Sequence, residues 1–227
     1  FFLDQVCRDY EKPENRKALT KKLSQVCSRL FTRNHLLVSF TAEESGYERL
    51  ACGMDKLSSC LEKSDGVVYP YQFQPKNRNE GFKTASQVNY VARCGSFAGS
   101  GKDYTGALRI LKVILNYDYL WINLRVQGGA YGCMSGFGRS KEAYLVSYRD
   151  PNLKETNAVY ERIPQYLRQF TAEERDMTKY MIGAISELDT PLTPPIKGAR
   201  AVSAYLSGVT REMLQEERLQ VLEATQQ

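Results

Sequence analysis

The sequence predicts an α+β fold in which helices pack on an antiparallel sheet. Three observations point there. Several long segments carry apolar residues at three- and four-residue intervals, the helical period. Other, shorter segments alternate, as a half-buried strand does. Two of the alternating runs, 130–138 and 141–149, flank Gly138-Arg139-Ser140, the pattern of a hairpin.

The elements follow in chain order. Residues 14–31 favour a helix through Leu19, Leu23, Val26 and Leu30. Residues 35–42 read as a strand, and 44–63 as a second helix through Leu50, Met54, Leu57 and Leu61. Gly66, Pro70, Pro75 and Gly81 make 65–81 a connector, the one internal boundary expected in an otherwise single domain spanning 1–227. Residues 82–94 read as a long strand, Gly95–Gly101 as a loop, and 104–124 as a helix with Leu108, Leu111, Leu115 and Tyr119 on one stripe. After the hairpin, 153–169 favour a helix. Thr171-Ala172-Glu173-Glu174 has the form of a capping box opening a helix to about Leu188. Pro194-Pro195 and Thr210 open two more.

Composition narrows the function. A chain of 227 residues can bury a substantial core, and 42% hydrophobic with 25% charged residues is ordinary for a globular protein. The net charge of +5 is spread along the chain, without the clustered basic run that nucleic-acid binding favours. No apolar stretch reaches membrane-spanning length, so neither nucleic acid nor membrane is expected as a partner. Cys7, Cys27, Cys52, Cys60, Cys94 and Cys133 show no Cys-x-x-Cys pair, and free, mostly buried thiols in a reducing compartment are expected. The single histidine, His35, sits at the start of the expected 35–42 strand without a second ligand at metal spacing, so no metal site is expected in this chain.

One segment carries chemistry: Leu124-Arg125-Val126-Gln127-Gly128-Gly129-Ala130-Tyr131-Gly132. Glycine reaches backbone angles that other residues avoid, so the run holding Arg125 can turn sharply at Gly128-Gly129. The turn would bring the phenol of Tyr131 near the guanidinium. A phenol donor and a planar cation together suit the holding of a peptide carbonyl oxygen as negative charge develops on it. The competing candidates are weaker. The glycines from Gly128 to Gly138 lack the Gly-Lys-Ser/Thr of a phosphate loop and lead into a strand. Cys133 has no histidine base nearby, Trp121 reads as a core anchor, and Glu43-Glu44 and Glu173-Glu174 suit helix N-termini.

The stretch Asn116-Tyr117-Asp118-Tyr119-Leu120-Trp121-Ile122-Asn123-Leu124-Arg125, with Gly128-Gly129-Ala130-Tyr131-Gly132 after it, resembles the pitrilysin/insulinase-type zinc metallopeptidases, in particular their presequence-protease branch. Asp150-Pro151-Asn152, Asp189-Thr190-Pro191 and Pro194-Pro195 extend the resemblance over nearly the whole chain. It implies a half-chamber domain from the C-terminal, non-zinc side of a metalloendopeptidase that degrades peptides. It assigns Tyr131 to donate to the oxyanion and Arg125 to hold the substrate carbonyl and orient Tyr131. Gly128, Gly129 and Ala130 would lie along the substrate. The inverted His-x-x-Glu-His zinc motif of these enzymes is missing here. With Phe1-Phe2-Leu3 at its start, the chain is expected to be the C-terminal portion of a longer intracellular enzyme, bacterial or organellar, whose zinc site lies upstream. The isolated fragment would then bind no zinc and cleave nothing; its partners are the peptide substrate and the zinc-bearing N-terminal half. The alternative is a non-catalytic structural or assembly domain of the same fold.

Overall fold

The computed structural model describes residues 2–63, 70, 72, 74 and 76–226. About half of the expected 65–81 connector lies outside the described residues. The chain divides into two compact units, Phe1–Asn79 with Thr193–Val202, and Glu80–Leu192 with Ser203–Gln227.

The first unit holds α1 (Phe2–Tyr10), α2 (Pro13–Leu30) and α3 (Glu44–Ser59). Helix α2 opens with Pro13 and Glu14 and ends with Arg29, the order that suits the backbone amides and the helix dipole. None of the three helices has a buried residue. The α2 stripe is helical as expected, yet Leu23, Val26 and Leu30 are more than half exposed. The strand expected at 35–42 does not form. Arg33–His35 is a 3-10 turn, with His35 Nδ1 3.1 Å from Thr32 Oγ1, and the residues after it join no ladder among the described residues. Alternation gives a segment two faces, but a strand also needs a neighbour for its amides. Among the described residues of this unit, Thr32 alone bridges, to Glu62.

The second unit is built on three antiparallel strands in the order β1-β3-β2, with β1 Asn89–Ser96, β2 Gly132–Phe137 and β3 Glu142–Asp150. The hairpin stands where expected, closed by Gly138 N–H to the Glu142 carbonyl at 2.9 Å. Strand β1 starts later than expected and absorbs Gly95 and Ser96. Two constraints set its span. Its register runs from Asn89 against Asp150 to Ser96 against Glu142, the full length of β3. Before it, the hydroxyls of Thr84 and Ser86 accept the amides of Ser86 and Val88, and such local bonds compete with a ladder.

The helix expected at 104–124 forms as α4 (Ala107–Ile114) and runs on in a wider, π-type winding over Leu115–Gln127. The buried positions there are Leu115, Tyr119, Leu120 and Leu124, repeating every four to five residues as i→i+5 winding requires. They form one core with Val91, Ala130, and Val159, Tyr160 and Ile163 of α5 (Lys154–Gln169). Tyr119 belongs to it through its ring, 4.6 Å from that of Tyr166, and its hydroxyl, 2.7 Å from the Val159 carbonyl. A second core joins Ile110, Val113 and Ile114 of α4 to Met177 and Ala184 of α6 (Glu174–Leu188) and Val221 of α8 (Arg211–Leu222). Helix α7 spans Pro194–Ser207. Thr210 caps α8 by accepting the Met213 amide, whereas Thr171 does not cap α6: Glu173 occupies that position without a side-chain bond. The Gln226 amide group instead takes the Ala172 N–H and the Phe170 carbonyl.

The thiols depart from expectation. All six cysteines are free, but five are exposed and Cys133 is only half-buried. Burial is the main cause that pushes the Cys133 thiol up to about 11, against a smaller opposing pull from the Arg125 charge. Alkylation of the folded chain near pH 8 should therefore label Cys133 last, as mass mapping of modified peptides would show. Labelling of Cys133 as fast as the exposed five would contradict its packing.

Helix α8 is fastened by Glu217, which is 2% exposed. Its carboxylate accepts hydrogen bonds from Arg109 and Arg139 and, at 2.7 Å, from the Tyr104 hydroxyl. Burial alone would raise its pKa, but the bonds from Tyr104 and Arg109 and the two guanidinium charges outweigh burial and hold it below 4.5. A carboxyl group depressed in the folded state stabilises above its unfolded pKa, and this contribution is lost as pH falls through the folded value. The unfolding temperature should thus drop as pH is taken below about 4.5. Glu217→Ala should cost about 3–5 kcal/mol at neutral pH, because it strands two partly buried cations. Denaturant titration at pH 7 measures the second effect, and thermal melts from pH 6 to 3 the first.

Candidate functional site

The wide helix ends at Gln127 and gives way to a tight corner. The Gly128 and Gly129 amides both turn back to the Arg125 carbonyl, and the buried Ala130 reaches the Leu124 carbonyl at 2.9 Å. Gly129 has φ +77°, the left-handed conformation that commonly stops a helix and that a side chain would strain. A Cβ on Gly128 would lie 2.7 Å from the Leu124 carbonyl oxygen, so this position too requires glycine. The chain then enters β2, with the Tyr131 amide 3.3 Å from the Arg149 carbonyl.

This corner brings Arg125 and Tyr131 together. Arg125 donates from Nη1 to the Tyr131 carbonyl at 2.6 Å, and its guanidinium carbon lies 5.6 Å from the centre of the Tyr131 ring. The guanidinium also lies over Trp121 at 4.3 Å, within cation–π range. Trp121 is thus 40% exposed and serves as a platform under Arg125, not as the core anchor expected. Tyr131 is 57% exposed and meets the Tyr148 ring edge-on at 5.5 Å. Gly128, Gly129 and Ala130 form the bend itself, with Ala130 buried inward.

Three residues that sequence reasoning missed complete the corner. Asp150, 1% exposed, accepts from Ser147 Oγ at 2.6 Å, Thr156 Oγ1 at 2.7 Å and the Asn152 amide at 2.8 Å. Asn152 donates from Nδ2 to the Gly128 carbonyl at 2.6 Å and so ties the end of β3 to the bend. Arg149, between Tyr148 and Asp150, has φ +48° and places its guanidinium 5.5 Å from the Tyr131 ring centre. The Asp-Pro-Asn turn at 150–152 is visible in the sequence as a corner; nothing local shows that its side chains hold a segment more than twenty residues upstream.

Chemically, the arrangement offers an exposed phenol donor flanked by two guanidinium groups. One of these, Arg125, is bound to the chain's own backbone. Among the described residues no group of three or more His, Cys, Asp or Glu converges, and His35 is engaged with Thr32. The described residues therefore do not fit a zinc ion.

The chain is 42% identical to "Protein HypA" of Clostridium perfringens over 94% of its own length and 22% of that protein's. It is 29% identical to "Presequence protease 1, chloroplastic/mitochondrial" of Arabidopsis thaliana over 92% of its length and 20% of the relative's. It thus spans about a fifth of the length of these relatives. Two solved structures share the fold: the peptidase M16 inactive domain from Pseudomonas fluorescens (TM-score 0.54, 18% identity, 81% of this chain and 45% of that one) and the periplasmic protease PqqL from Escherichia coli (0.50, 15%, 79% and 21%). Residues 79–227, the span that holds the sheet, the bend and both arginines, match the family model of the PreP C-terminal domain, and the chain belongs to that family.

Proposed function

We propose that this chain is the C-terminal, non-zinc half of an intracellular zinc metalloendopeptidase that degrades peptides. Zinc would be held by the N-terminal half of the parent. This chain would contribute the Tyr131 hydroxyl as a donor to the carbonyl oxygen that becomes an oxyanion on attack by water. The observation that carries the reading is the Arg125 to Tyr131 carbonyl bond, which holds the backbone that carries an exposed phenol, at a corner turned by Gly128 and Gly129 and tied by Asn152. A fixed donor needs no reorganisation when charge develops, which is the source of its catalytic effect. Arg125 spends one donor on the Tyr131 carbonyl and keeps others, so it would hold the substrate carbonyl while positioning Tyr131. Gly128, Gly129 and Ala130 would border the bound peptide. The proteases among the relatives and their organellar names support the class of reaction and the compartment.

A structural, non-catalytic role is the second reading, favoured by the inactive M16 domain that shares the fold. One variant separates the two. In the full-length parent, Tyr131→Phe should lower kcat by about 10²–10³, some 3–4 kcal/mol, with little change in KM. Zinc content, measured by metal analysis, should stay intact. A near-normal kcat would leave the structural reading standing.

A further inference from the structure

Two arginines flank Tyr131, and they are not equivalent. Arg125 is engaged by the Tyr131 carbonyl and by Trp121. The Arg149 guanidinium, by contrast, has no hydrogen-bond acceptor and no carboxylate partner among the described residues; it lies over the Tyr131 ring. It is exposed, and it sits on a residue whose backbone is held at φ +48°, a conformation that costs a non-glycine residue energy. The backbone there has a structural task, since the Arg149 carbonyl accepts the Tyr131 amide at 3.3 Å. Glycine would perform that task with less strain, so the backbone does not account for the arginine side chain.

We infer that Arg149 is a substrate-binding residue, taking a carboxylate of the peptide beside Tyr131. The guanidinium fork matches a carboxylate in two parallel hydrogen bonds, and its planar charge stays in place over the tyrosine ring while doing so. The second positive charge, on Arg125, adds to the attraction for an anion at this surface. The carboxylate can be the C-terminus of the peptide or an Asp or Glu side chain near the cleaved bond. This inference rests on the proposed peptidase function and assigns part of its substrate preference.

The test uses the full-length parent with Arg149→Gly, which suits the left-handed backbone and removes only the side chain, and with Arg149→Lys, which keeps the charge without the fork. The substrates are one peptide with a free C-terminus and an acidic residue beside the cleaved bond, its C-terminal amide, and its analogue with Asn or Gln for the acidic residue. Arg149→Gly should raise KM for the parent peptide about tenfold, the loss of one charge-assisted pair, with kcat within about threefold. Arg149→Lys should fall between. Whichever substrate modification already raises KM in the unmodified enzyme and shows no further rise with Arg149→Gly identifies the carboxylate. An unchanged KM with all three peptides, while Tyr131→Phe still abolishes turnover, overturns the inference and leaves the proposed function intact. So does a fall in kcat at constant KM, which would make Arg149 a positioning residue for Tyr131, or a lowered melting temperature with unchanged kinetics, which would make it a structural contact. If Arg149→Gly and Tyr131→Phe are both without effect on turnover, the proposed function fails with it.

Discussion

The buried carboxylate of Asp150 is the point on which the corner depends. It receives hydrogen bonds from two hydroxyls and one amide. A buried charge is tolerable only when its lone pairs are so occupied, and each donor to it is worth more than a neutral bond. Its donors come from three places: Ser147 in β3, Asn152 in the turn after it and Thr156 in the first turn of α5. The direction in which the chain leaves the sheet is thereby set. Asn152, fixed by its own amide, can then hold the Gly128 carbonyl, and Arg149 is held left-handed so that its carbonyl meets Tyr131. Tyr131 is thus placed by groups on β3 and its exit turn as much as by the glycines beside it.

The sheet explains why the corner can be tight. By the alternation of the register, Val91, Cys133, Phe137 and Leu145 face the core, while Tyr144 and Tyr148 face away from it. On that second face the Tyr148 ring covers Gly132 and the Tyr144 ring covers Gly136, so closely that a Cβ on either glycine would overlap the ring. Tyr131 continues this aromatic layer, edge-on to Tyr148, at the end where β2 begins. Gly132 and Gly136 are therefore packing residues for tyrosines on β3, a role unrelated to any phosphate loop.

The parts of this molecule that are legible in the sequence are those governed by neighbours along the chain. The hairpin, α2, α5 and the Thr210 cap follow from local periodicity and turn chemistry, and the bend at Gly128-Gly129 follows from glycine itself. The features that are not legible depend on distant partners. The length of β1 is set by β3, and the segment leading into α6 is bound by Gln226. The stripe of α2 and the alternation at 35–42 are local signals for burial and pairing, and the first unit meets neither demand. The winding of Leu115–Gln127 lies between these cases. Its apolar spacing of four and five residues is present in the sequence, but Leu108, Leu111, Leu115 and Tyr119 also fit an ordinary helical stripe, and packing against β2 and α5 selects the wider turn.

That wider winding bears on the site. The same helix must bury Leu120 and Leu124 in the core and also present Trp121 and Arg125 to solvent one residue later in each case. With a repeat between four and five residues, Trp121 and Arg125 stay in register on the outer side while Leu120 and Leu124 stay in register on the inner side. The guanidinium can then lie flat over the indole with its edge toward the Tyr131 carbonyl. Arginine's planar fork makes both contacts at once; a lysine ammonium could donate to the carbonyl but would lose the stacked plane that fixes its direction. Arg125 is therefore held by the helix that carries it, whereas the Arg149 guanidinium on β3, at a similar distance from the Tyr131 ring, has no acceptor among the described residues.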